Sequence, residues 1–191
     1  MSDTLSTELQ EEIAGYEFAK GEVEALVDGL SDEQLNWRTE EGSWSILECI
    51  SHLNEVGSKM IVPMKKEIDA GRGAGKLSEG PFKYSFLGNM FLNGSGPLDK
   101  KNKFKIKSPK LYIPTSDLSK EELLPIFLAL QDELVALTRD ANGLNLKSIK
   151  VTSPAISLVR FSVGVWLKML PGHQKRHLQQ ARRVRDQLPQ E

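Results

Sequence analysis

Pro171-Gly172-His173-Gln174-Lys175-Arg176-His177-Leu178-Gln179-Gln180-Ala181-Arg182-Arg183-Val184 holds two of the three histidines in this chain of 191 residues. Residues four apart in a helix stand one turn above each other on the same face, so the imidazoles of His173 and His177 can turn to a common point. The remaining histidine, His52, lies in Trp44-Ser45-Ile46-Leu47-Glu48-Cys49-Ile50-Ser51-His52-Leu53, a second stretch with helical spacing. If the two helices pack side by side, three neutral imidazoles converge and leave a divalent metal with open positions. Taken alone the spacing favours a plainer reading, in which the histidines sit on a solvated face or in a core.

Working outward, the N-terminal segment carries Leu9, Ile13, Tyr16, Val23, Val27 and Leu30 at helical steps, which predicts an amphipathic helix from about Leu5 to Leu30. Ser31-Asp32-Glu33-Gln34 reads as a capping box that starts a short turn ending near Trp37. A second box, Ser45-Ile46-Leu47-Glu48, opens a long helix expected to reach Ala70, where Gly71-Arg72-Gly73-Ala74-Gly75 stops it. His52 falls on the shoulder of that helix's apolar stripe, and Trp44 just before the cap reads as a packing anchor. A third box, Ser119-Lys120-Glu121-Glu122, opens a helix ending at Asn142-Gly143, with Pro125 in its second turn. Leu144 to Leu158 reads as a connection, its Val151-Thr152-Ser153-Pro154 too brief to assign as a strand. The last helix is expected from Ser162 to near Leu188, kinked by Pro171 just before His173. Four amphipathic helices of this length are best buried as an all-α four-helix bundle forming one domain over 1–191.

Between the second and third long helices, residues 71–117 form a long irregular insertion rich in glycine and proline, with a short helix expected around Ser85 to Leu92. Inside it, Lys100-Lys101-Asn102-Lys103-Phe104-Lys105-Ile106-Lys107-Ser108-Pro109-Lys110 suggests an extended, half-exposed segment. Its lysines read either as a solvated loop or as an attractor for phosphate or carboxylate.

Composition narrows the function classes. A net charge of -1 gives no global pull towards nucleic acid or an anionic membrane. No run approaches the length of a bilayer span, the start of the chain lacks the pattern of a signal peptide, and the single cysteine, Cys49, reads as buried and inert. A cytoplasmic protein is therefore expected. Gln174 stands where H-E-x-x-H would need its glutamate, which disfavours a zinc protease, and no phosphate-binding glycine loop or C-x-x-C pair occurs.

The blocks Trp44-Ser45-Ile46, His52-Leu53, Trp166-Leu167 and His173-x-x-Arg176-His177-Leu178-x-Gln180-x-Arg182-Arg183-Val184-Arg185, in this order, resemble the DinB-like (YfiT-type) superfamily of metal-dependent enzymes. The resemblance covers almost the whole chain. It implies an up-down-down-up four-helix bundle holding a divalent metal, commonly zinc or nickel, on the positions of His52, His173 and His177. It also implies a homodimer, and activities that include transferases and isomerases using low-molecular-weight thiols. Pro171 and the 71–117 segment depart from the plainer members.

The expected function is a metal-dependent enzyme acting on a small-molecule substrate, either a thiol-dependent S-transferase or a hydrolase. A non-catalytic metal-binding module or a helical interaction module is the alternative. Glu48 and Glu55, about one turn on either side of His52, are candidates for a catalytic or orienting carboxylate, and Arg176 for a ligand-orienting cation.

Overall fold

The computed structural model describes residues 4–97 and 108–189. The chain folds as α1 (Thr7–Val27), α2 (Asp32–Asn36), α3 (Ile46–Gly73), α4 (Phe86–Ser95), a single 3-10 turn (Lys110–Tyr112), α5 (Lys120–Asp140), β1 (Lys150–Thr152), β2 (Arg160–Ser162) and α6 (Val163–Arg185). The long helices α1, α3, α5 and α6 form the bundle. Both α1 and α3 pack on α5 and α6 while hardly touching each other, so each of these two pairs faces across a diagonal.

Two of the three expected capping boxes form. Ser31 and Ser45 each accept from the backbone three residues on, and Gln34 and Glu48 answer to the N-cap amides. Ser119 makes no such bond. The Lys120 amide instead donates to the Asp32 carboxylate at 3.0 Å, and Lys120 Nζ donates to the Leu30 carbonyl, so α2 serves the start of α5 from outside. Pro125 is accommodated within α5, which starts at Lys120.

The insertion is shorter in irregular chain than expected. α3 runs past Ala70 to Gly73, and within this last turn Gly71 lies against Ile149, where a Cβ would come within 2.4 Å of that side chain. The expected short helix is α4, which packs on α6. Residues 100–107 of the lysine-rich stretch lie outside the described residues, and Lys110 opens the 3-10 turn. Val151 belongs to a strand after all: Lys150, Val151 and Thr152 pair antiparallel with Ser162, Phe161 and Arg160.

α6 continues through Pro171. The proline ring has no N–H for the Leu167 carbonyl. Buried Tyr16 of α1 supplies the donor from its hydroxyl, at 3.3 Å. The same crossing is tight, since a Cβ on Gly15 would meet Pro171 Cβ at 2.7 Å. α1 thus closes the gap that the proline leaves in α6, two residues before His173.

Candidate metal centre

The packing of α3 on α6 brings His52 against His173 and His177. Ring centroids lie 5.2 Å apart for His52 and His173, 4.5 Å for His52 and His177, and 4.6 Å for the α6 pair. One nitrogen from each ring lies within 4.8 Å of the others, close enough for one ion to be shared by the three.

Two of the three outward nitrogens are held. His52 Nδ1 lies 2.7 Å from the Tyr112 carbonyl, which can only accept, so Nδ1 carries the proton and Nε2 keeps its lone pair. His177 Nδ1 meets Gln180 Oε1 at 3.2 Å in the same sense. This is the outer support that metal-ligating imidazoles require. Tyr112 reaches its place from the end of the insertion, buried on the 3-10 turn with its ring edge-on to His52 at 6.4 Å. Trp44 packs with its neighbours, as expected, and also stacks on His177 with centroids 5.6 Å apart.

Burial sets the protonation state. It lowers His52 against the opposing pull of the Tyr112 carbonyl. Burial also takes His173 well below the usual imidazole value, aided by the neighbouring histidines and Arg176. His177 is pushed down to about 3, first by burial and then by His52 and Arg176, with Gln180 opposing. All three are neutral at pH 7, the form that binds metal, so no protons need be displaced on loading.

The histidines open onto a cavity of about 600 Å³. Its histidine end carries Trp44, Arg176, Gln180 and Arg183, and its body is walled by Val56, Met60, Phe91, Trp166 and Met169. Arg176 donates to the Gly94 carbonyl at 2.8 Å, in the last turn of α4, and to that of Gly96 just beyond, so the insertion's helix is fastened to the site. Trp166 is oriented by its indole N–H, which donates to Val151 at 3.0 Å.

Both carboxylate candidates fall away from the histidines. Glu48 is buried, but its oxygens take the Arg38 guanidinium at 2.9 and 2.6 Å and the Ser45 amide at 2.8 Å, so it caps α3 and has no bond to His52. Glu55 pairs with Lys59 one turn along α3, partly exposed, and does not line the cavity. Arg176, the candidate ligand-orienting cation, lies in the cavity wall. Sequence reasoning missed Tyr112, Phe91 and Arg183. Arg183 was within reach, since Arg176, Gln180 and Arg183 follow a four-and-seven step along α6.

A family model described as the DinB superfamily matches residues 16–181. The chain belongs to the DinB superfamily. The matched span contains all three histidines, Arg176 and Gln180, and ends just before Arg183. This DinB protein also carries a histidine cluster compatible with a metal site. No curated protein and no solved structure gives a significant match. Among the described residues no helix is long and apolar enough to cross a membrane.

Proposed function

We propose that this DinB protein is a metal-dependent enzyme of the thiol S-transferase type, with His52, His173 and His177 as the ligands of one divalent ion, zinc or nickel. The observation that carries the reading is the convergence of three neutral imidazoles, two with their outer nitrogens fixed, on one end of a ligand-sized cavity. When bound, such an ion supplies a Lewis acid that lowers the pKa of a thiol or water beside it.

The chain's own residues do the rest. The Tyr112 carbonyl and Gln180 hold His52 and His177 in the tautomer that offers Nε2. Apolar side chains wall most of the cavity body, and Trp44 stacks on His177 at one side. Hydrolysis is the second reading of the same site. Among the described residues no carboxylate lines the cavity, so a water nucleophile finds no Asp or Glu as general base there. A thiol needs less help, because its ordinary pKa near 8.5 is already close to neutrality. Action on a small molecule and assembly as a homodimer complete the proposal.

Elemental analysis of untagged protein tests it, with His52→Ala and His173→Ala alongside. The expected result is about one divalent ion per chain, lost in both variants. The zinc- or nickel-loaded protein should then transfer a low-molecular-weight thiol to an electrophile faster than it hydrolyses an activated ester. Absence of binding even on titration with both metals would sink the reading.

A further inference from the structure

Two features of the cavity bear on what enters it. Its only charged side chains among the described residues are Arg176 and Arg183, both arginines, and its other polar groups are neutral. Arg176 is pinned by the carbonyls of Gly94 and Gly96 and lines the cavity beside His173 and His177. Arg183 stands two turns further along α6, exposed at the rim. A guanidinium there matches a carboxylate bidentately. Most of the remaining wall is apolar, interrupted by Ser43, Ser95, Ser108 and Ser153, with Phe91 edge-on to Trp166 at 5.3 Å and stacked on Phe161 at 4.7 Å. A hydrophilic ligand would leave this surface poorly matched. The 600 Å³ volume also exceeds what a thiol head group alone would fill.

We infer that the cavity binds an amphipathic carboxylate, with its anionic head at the arginine and histidine end and an alkyl or aryl body against Val56, Met60, Phe91 and Trp166. This deepens the enzyme reading by naming the class of the molecule that meets the thiol, and as an enzyme substrate it rests on that reading. Binding itself does not require the metal: the arginines and the apolar wall are present in the chain without it.

Calorimetric titration with straight-chain alkanoates from butanoate to decanoate tests the inference, run on chelator-treated and zinc-loaded full-length protein in parallel. Affinity should rise about fourfold per added methylene in both forms. Alkylamines of equal length should bind more weakly, and Arg183→Gln should weaken alkanoates by about two- to fivefold while leaving 1-alkanols unchanged. Ala155→Trp fills the cavity from a half-buried position in its wall and should abolish the chain-length dependence. Ile156→Glu, at an exposed lining residue, should do the same and guards against a misfolded Trp variant. A flat series, a series unchanged in both cavity variants, or amines binding as tightly as alkanoates would overturn the inference. If zinc fails to bind but the series persists, the enzyme reading falls and the inference stands. Zinc binding with a flat series gives the reverse.

Discussion

Along α6, two buried polar groups of opposite chemistry sit a few turns apart, and burial pushes both towards their neutral forms. Towards the N-terminal end, Lys168 reaches Glu12 of α1 at 3.8 Å, near Glu8 and the Tyr84 hydroxyl that donates to it at 2.5 Å. Glu12 is raised to about 7 by its own burial, against the Lys168 charge. Towards the other end, His173 and His177 meet His52 and are lowered for the same reason. A shifted pKa therefore does not separate a functional site from a structural one here. What separates them is convergence: three rings share a point, two of them have their outer nitrogens engaged, and a cavity opens in front. Glu12 lines neither that cavity nor the second one of about 460 Å³ at Leu9 and Phe82.

The largest effect should come from breaking the functional half. His177→Ala removes one of the three proposed ligands and leaves Gln180 without its imidazole partner, and zinc affinity should fall by more than about 100-fold. Glu12→Gln should leave zinc affinity unchanged. Competition titration against a chromogenic chelator reads both. Equal losses would erase the distinction.

Stability against pH sharpens the other half. The unfolded chain releases the Glu12 proton near 4.5, the folded chain near 7. Between these values the folded state holds a proton that the unfolded state has lost. The contribution is complete below 4.5 and disappears as pH rises through 7. Glu12→Gln should remove that dependence and make the protein more stable than wild type at pH 8 by about 2 to 3 kcal/mol, with little difference at pH 4.5. Urea unfolding at both pH values would show it. Parallel curves would mean that Glu12 is solvated.

Between the two groups lies the Pro171 gap. Tyr16→Phe leaves the Leu167 carbonyl buried without its donor and should cost about 1 to 3 kcal/mol. In a Pro171→Ala background the backbone N–H returns, so the same change should cost less. The interaction energy of the double-mutant cycle measures the repair directly. An additive cycle would show that the hydroxyl does not stand in for the missing amide.

The contrast also marks what was legible in the sequence. The four long helices, two caps and the His173–His177 pair followed from periodicity and the four-residue step, all local signals, whereas His52 joined the pair only through the packing of two helices and the family resemblance. Tyr112 did not follow, because its contribution is a backbone carbonyl carried to His52 from 60 positions away, and no side-chain type announces that. Ser119 looked like a cap, but Asp32 of another helix reached the Lys120 amide instead. Glu48 and Glu55 were placed near His52 by spacing along α3, which fixes a position but not a partner. Arg38 claimed one of them and Lys59 the other. Pro171 read as a kink, and no local signal showed that α1 would supply the hydroxyl for the Leu167 carbonyl.

Glu55→Gln gives the smallest effect and tests the boundary of the site on α3 itself. The carboxylate lies three residues beyond His52, yet its side chain is 43% exposed and its ion partner is Lys59 one turn further on. An exposed pair of this kind contributes no more than about 0.5 kcal/mol, so stability should barely move. Because Glu55 neither touches an imidazole nor lines the cavity, zinc affinity should also stay within about twofold of wild type, well short of the tenfold or greater loss expected for an imidazole's hydrogen-bonding partner. A tenfold loss of zinc would mean that Glu55 swings from Lys59 onto the histidine cluster in the loaded protein. The metal centre would then extend along α3, and the clean division between a converging site and an isolated buried charge would have to be redrawn around a carboxylate.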